Sequence, residues 1–200
     1  MNRKVLIGFV VLLWIGLAGL IYFLWTNIKP AYKGTLLDQP SPVADFILQS
    51  DQGDINLSQF RGKVVLLFFG YTFCPDVCPT SLAKISRAFQ LLGEDSSKIQ
   101  TIFISVDPER DTPGKLGQYA RAFNPAFIGA TSTPENIAII SKQFGVFYEK
   151  HDVNSAADYL VSHTSVVLVI DQNGNLRLVW PYEFEIQSMV SDLKLLIAEN

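Results

Sequence analysis

The segment Val64-Val65-Leu66-Leu67-Phe68-Phe69 is six apolar residues closed by Gly70. An apolar run of that length, bounded by turn signals, is the pattern of a strand buried on both faces. It runs through Tyr71-Thr72-Phe73 into Cys74-Pro75-Asp76-Val77-Cys78-Pro79, and then into an amphipathic stretch from Thr80 to Leu92. The chain has no other cysteine. A buried strand therefore delivers a dithiol to the mouth of a helix, and the fold has to be an α/β arrangement around that unit.

A helix start carries unpaired N–H groups and the positive end of the dipole, which favour thiolate over thiol. Thiolate is the reactive and metal-binding form. Pro79 suits a first helical position, which makes Cys78 the expected N-cap and leaves Cys74 on the preceding loop. The spacing is compatible with the Cα separation of about 4.4–6.8 Å that a disulfide requires, so dithiol, disulfide and metal-bound forms are all open. The alternative is a structural bridge or two cysteines acting as small hydrophobes. A bridge across so short a loop removes little chain entropy, which argues against a purely structural one.

The N-terminus carries a second constraint. From Val5 to Trp25 there is no charged residue, and 21 helical residues rise roughly 31 Å, about the thickness of a bilayer core. The expectation is a single transmembrane helix over residues 5–25, with residues 1–4 as a cytoplasmic tail because of Arg3 and Lys4. A cleaved signal peptide is disfavoured, since the apolar run is too long and no A-x-A-like site follows it. Residues 26–42, with Pro30, Pro40 and Pro42, read as an extended linker. Residues 43–200 are then one domain, expected on the periplasmic side of a bacterial inner membrane. The 16 basic residues face 19 acidic ones, and Arg3, Lys4 and Lys29 lie outside that domain. Such an acidic domain speaks against nucleic acid as a partner.

Asp45–Leu48 and Ile55–Leu57 flank a turn and predict a small hairpin. A strand over Thr101–Val106 completes a β-α-β unit with the dithiol helix. Thr112-Pro113 and Thr133-Pro134 are N-cap and first-turn signals for two helices, ending near Phe123 and near Phe144, with Gly145 at the C-terminal cap. Asn173-Gly174 joins Ser165–Ile170 to Leu176–Trp180 as a hairpin, and Ile186–Ile197 reads as a closing helix. This order, with a cysteine motif after the first long strand, looks like the thioredoxin fold.

The two histidines have different settings. His151 lies in the polar segment Glu149–Asp158 and reads as a solvated loop residue. His163 stands just before the apolar strand Ser165–Ile170, on a loop that in a thioredoxin-like sheet faces the cysteine-bearing helix start. From the residues alone it is either a ligand or base, or a hydrogen-bonded loop residue. Two thiolates and one imidazole form a small, soft donor set that suits Cu(I) and accepts Cu(II), whereas structural zinc usually takes a fourth ligand.

The motif Cys74-Pro75-Asp76-Val77-Cys78-Pro79, the later Asp107-Pro108-Glu109-Arg110-Asp111-Thr112, and His163 before a hydroxyl residue and a strand together resemble the Sco/SenC family. The likeness covers Pro42 to the C-terminus. Three residues separate the cysteines, where ordinary thioredoxin-like reductases have two. The resemblance implies a membrane-anchored copper chaperone for cytochrome oxidase assembly. It implies that Cys74, Cys78 and His163 bind copper, as Cu(I) or Cu(II), and that the cysteines are also a redox pair. It further implies an oxidase copper-bearing subunit, an upstream copper donor and a thioredoxin-like reductant as partners. The family often has an acidic residue just before the histidine, where this chain has Ser162. Asp76, Asp107, Arg110 and Asp111 match motif positions, yet Asp-Pro and Asp-Thr-Pro are also ordinary turn and cap chemistry. Orienting the ligands is the role left open to them. The competing function is a dedicated thiol–disulfide oxidoreductase that keeps oxidase copper-site cysteines reduced, which needs the cysteines and not His163.

Overall fold

The computed structural model describes residues 3–27, 31–152 and 159–199. Residues 1–2 of the expected tail, 28–30 of the expected linker and 153–158 of the polar segment around His151 lie outside the described residues. In chain order the elements are α1 (Arg3–Asn27), β1 (Thr35–Pro42), β2 (Ile47–Ser50), β3 (Gly53–Asn56), β4 (Val64–Gly70), α2 (Val77–Leu92) and β5 (Ile99–Ser105). There follow α3 (Pro113–Phe123), β6 (Ile128–Thr131), α4 (Pro134–Gln143), β7 (Tyr148–Asp152), β8 (Tyr159–His163), β9 (Val166–Ile170), β10 (Asn175–Pro181) and α5 (Ile186–Ala198).

The chain divides into two units, residues 1–31 and 32–200. The first contains α1, and here an expectation is corrected. Among the described residues no helix is long and apolar enough to cross a membrane, so the transmembrane helix expected over residues 5–25 is not supported.

In the second unit eight strands form one sheet in the order β1-β10-β9-β4-β5-β6-β2-β3. The apolar run is its centre. β4 pairs in parallel with β5 from Val64↔Ile99 to Gly70↔Ser105, and antiparallel with β9. Every residue of β4 and β5 is buried, as an apolar run without alternation demands. Phe68 and Phe103 meet across the β4–β5 pair at 5.9 Å between ring centres. The β4–α2–β5 crossover is the β-α-β unit the sequence implies, and α2 packs against α5.

The cap signals act as read. Thr112 accepts from the Lys115 N–H and Thr133 from the Asn136 N–H, each with proline in the first helical turn. After α4, Gly145 takes φ +64°. The Gly145 N–H donates to Lys142 and the Val146 N–H to Ser141, a Schellman ending.

Three elements differ from expectation. Residues 35–42 are not linker but an edge strand, paired Thr35↔Val179 and Pro42↔Asn175 with a register shift between Leu36 and Ser41. An edge tolerates Pro40 and Pro42 because one side of the strand needs no ladder partner. The buried Asp192 carboxylate fastens the entry to this strand, accepting from the Lys33 N–H at 2.7 Å, the Gly34 N–H at 2.9 Å and Trp180 Nε1 at 3.0 Å. The short strand β6 continues the parallel set beside β5. Finally, β7 and β8 form a separate two-stranded sheet, so His151 lies on an exposed strand and His163 ends a strand, where loops were expected.

Candidate metal centre

Helix α2 begins two residues earlier than Pro79 suggests. The Thr80 N–H donates to the Asp76 carbonyl at 3.1 Å, the first intrahelical bond, so Asp76 is the N-cap and Cys78 the second helical residue. The correction brings Cys78 further under the helix start. Its N–H, one of the orphan donors there, points at Cys74 Sγ at 3.4 Å. Cys74 itself is turned back by its own N–H bond to the Tyr71 carbonyl at 3.2 Å.

Cys78 is fully buried and Cys74 nearly so; both are free thiols. Behind Cys78 the backbone of β4 comes very close. A Cβ on Gly70 would stand 2.5 Å from Cys78 Sγ and 2.7 Å from the Phe103 ring, so the strand must end in glycine for the sulfur to fit.

From the other side His163 Nε2 lies 3.4 Å from Cys78 Sγ. His163 Nδ1 is 3.1 Å from the Val161 carbonyl, which only accepts, so Nδ1 carries the proton and the Nε2 lone pair faces the sulfurs. The Tyr71 ring stands edge-on to the imidazole at 5.7 Å, and its hydroxyl accepts from the Val161 N–H at 3.2 Å. The three donor atoms, Cys74 Sγ, Cys78 Sγ and His163 Nε2, lie within 4.8 Å of one another. In a trigonal site, bonds of about 2.0–2.3 Å place ligands roughly 3.5–4.0 Å apart, so the atoms close on one ion after a shift of less than about 1 Å.

The two thiols are electrostatically unequal. The hydrogen bond from the Cys78 side chain, helped by N–H groups of Cys78 and Asp76, outweighs burial and brings the Cys74 pKa down to about 5. The same hydrogen bond and deep burial hold Cys78 far above the ordinary thiol range. Cys74 is thus the standing thiolate and Cys78 the proton holder. Iodoacetamide at pH 7 is expected to label Cys74 first, at a rate that falls about tenfold per unit once pH drops below about 5. Peptide mapping across pH checks this; a midpoint near the ordinary 8.5, or Cys78 labelled first, contradicts it.

Apart from the Asp76 N–H, the remaining motif residues act away from the sulfurs. Asp111, fully buried, accepts from the Thr72 N–H at 2.9 Å, the Thr72 hydroxyl at 2.5 Å and the Ser105 hydroxyl at 2.6 Å, which pins the loop before Cys74. Asp107 and Arg110 bind each other and Tyr159 of β8. Asp76 stands at the N-cap of α2 without a side-chain bond to its N–H groups, and its carboxylate accepts from the Thr80 hydroxyl at 3.3 Å. Tyr71 and Tyr159 were not singled out from the sequence. Neither lies in a recognisable motif, although Tyr71 stands between the buried strand and the cysteine loop.

A thioredoxin-like sheet whose dithiol is joined by a histidine from a separate hairpin defines a class: thioredoxin-fold proteins with a three-point Cys-Cys-His metal site. Comparison with known proteins narrows it. The chain belongs to the SCO1/SenC family, whose profile matches residues 36–198. A SCO2-like protein of Rickettsia conorii is 35% identical over 175 residues, covering 86% of this chain and 85% of its own. The solution structure of apo Sco1 from Thermus thermophilus superposes with a TM-score of 0.77 at 43% identity, over 85% of this chain and 99% of that one. ScoI of Bradyrhizobium japonicum, solved with copper bound, superposes at 0.71 with 35% identity, over 78% and 99%.

Proposed function

We propose that this protein binds one copper ion through Cys74, Cys78 and His163 and serves in the assembly of cytochrome c oxidase. The observation that carries the reading is the convergence of two sulfurs and an imidazole nitrogen within 4.8 Å, with the nitrogen lone pair turned inward by the Val161 carbonyl. That soft, three-donor set fits Cu(I). The copper held by the related Bradyrhizobium ScoI supports the choice of metal, and the membership of a Sco protein in a family of cytochrome c oxidase assembly proteins supports the task. Copper is cargo here. An upstream donor protein supplies it, and the copper-bearing subunit of the oxidase receives it by stepwise exchange of ligands.

The inequality of the two thiols favours a second activity at the same residues, thiol–disulfide exchange. The Cys74 thiolate attacks one sulfur of a partner disulfide, forming a mixed disulfide and releasing the other sulfur as thiolate. Cys78, once deprotonated, attacks Cys74 Sγ, closing the internal disulfide and freeing the reduced partner. Two electrons pass to the partner, Cys78 releases one proton and solvent supplies the other that the reduced partner takes up, and a thioredoxin-like reductant restores the dithiol.

Cells whose only copy carries Cys78→Ala are expected to make oxidase deficient in copper and in activity, with apoprotein levels maintained. Full oxidase activity in those cells contradicts the assembly role.

A further inference from the structure

His163 ends a strand that the main sheet does not hold. Among the described residues β8 pairs only with β7, from Tyr148↔His163 to Asp152↔Tyr159. A two-stranded hairpin is marginally stable alone, so its placement depends on side chains that tie it to the rest of the domain. The turn after β5 supplies them. Asp107, fully buried, accepts from the Tyr159 hydroxyl on Oδ1 and from Arg110 Nε on Oδ2, both at 2.6 Å. Arg110 Nη1 donates to the Tyr159 carbonyl at 3.0 Å, and its guanidinium lies 3.6 Å from the centre of the Tyr159 ring. Glu109 pairs with Lys150 of β7 at 2.7 Å. One turn therefore grips both strands of the hairpin, at the end of β8 opposite to His163. Midway along β8 the Val161 N–H donates to the Tyr71 hydroxyl, and the Val161 carbonyl fixes the imidazole.

We propose that Tyr159, held by Asp107 and Arg110, is a positioning residue for His163, its hydroxyl setting how firmly the imidazole is presented to the two cysteines. The proposal rests on the reading of Cys74, Cys78 and His163 as a copper site. It gives Asp107 and Arg110 a task that turn chemistry alone does not explain. An ordinary Asp-Pro turn needs neither a buried carboxylate shared between an arginine and a distant tyrosine nor a guanidinium stacked on that tyrosine's ring.

Tyr159→Phe keeps the ring on Arg110 and removes only the hydroxyl, so the domain still folds. In the full chain this variant is expected to bind Cu(I) about tenfold more weakly than wild type, the usual order for removing a group that orients a ligand. The same change in a His163→Ala background is expected to cause no further loss, because the residue through which it acts is gone. The Cu(II) form of Tyr159→Phe is expected to lose nitrogen hyperfine coupling in its electron paramagnetic resonance spectrum. Arg110→Lys, which keeps the charge but loses the planar stack, is expected to act in the same direction. Nitrogen-15 shifts of the apo protein give a readout without metal: wild-type His163 is expected as a single neutral tautomer protonated on Nδ1, and Tyr159→Phe as an averaged mixture. Wild-type affinity, hyperfine coupling and tautomer in Tyr159→Phe overturn the proposal, as does an equal tenfold loss in the His163→Ala background. Absence of copper binding in wild type overturns the copper reading instead, and the apo nitrogen-15 shifts then still decide the positioning role.

Discussion

Cys74→Ala and Cys78→Ala are each expected to lower Cu(I) affinity by on the order of 10³-fold, about 4 kcal/mol, and His163→Ala by on the order of 10²-fold. The sulfurs carry the larger share because they supply both the soft donor character and the negative charge that a monovalent soft cation requires. No neighbour replaces them. Cys78 is fully buried beneath the α2 start, between Gly70 and His163, where a water ligand has no access. His163 is half-buried at the strand end, and its loss leaves two thiolates that still hold the metal. Competition with a chromophoric Cu(I) chelator, on reduced protein without oxygen, reads all three variants. Equal, small effects from all three would mean that copper sits elsewhere on the chain.

Asp111→Ala is expected to destabilise the domain by about 3–4 kcal/mol, although Asp111 touches no proposed ligand. Its carboxylate is fully buried and accepts from both donors of Thr72 and from the Ser105 hydroxyl. Truncation leaves three donors without their acceptor, the buried Ser105 hydroxyl and the N–H and hydroxyl of half-buried Thr72, a cost larger than the net worth of the bonds themselves. Thr72 lies two residues before Cys74, so the loosened loop also disturbs the Cys74 sulfur, and copper affinity is expected to fall with stability. Urea unfolding should show a lower midpoint at unchanged slope. A midpoint within about 0.5 kcal/mol of wild type would show that the network is redundant.

The parts of this fold that could be read from the sequence are those where one local rule acts without competition. The apolar run of β4 admits only a doubly buried strand, Thr-Pro pairs admit only helix starts, and Asn173-Gly174 admits a tight turn, with Gly174 at φ +80°. Where two rules compete, sequence reading erred. Pro79 signals a first helical position, but the Asp76 carbonyl already accepts from Thr80, and the helix starts at Val77. The prolines of residues 35–42 signal a linker, but Asp192 and the free side of β10 recruit the segment as an edge strand. The polar β7 has no apolar alternation to reveal it, so its pairing with β8 and the strand position of His163 were invisible. The apolar run near the N-terminus suggested a membrane span that the described residues do not support.

The candidate site divides in the same way. The cysteine motif singled out Cys74 and Cys78 from the residues alone, whereas the setting of His163 left it open between a ligand and a loop residue; only the resemblance to the Sco/SenC family implied it as the third donor, and the structure brings the three donor atoms together. Asp107, Arg110 and Asp111 were visible only as turn and cap residues, since the same side chains serve both purposes. Their separate tasks, two gripping Tyr159 and one pinning Thr72, depend on contacts spanning 39 to 52 positions in sequence, from Thr72–Asp111 to Asp107–Tyr159.

X-ray absorption at the copper edge of the reduced full chain, loaded with one equivalent of Cu(I), tests the three-ligand site most directly. Two sulfur scatterers and one imidazole nitrogen are expected around a single copper, with the nitrogen shell lost in His163→Ala and one sulfur lost in Cys74→Ala. Copper surrounded only by nitrogen and oxygen, or an unchanged nitrogen shell in His163→Ala, would contradict it.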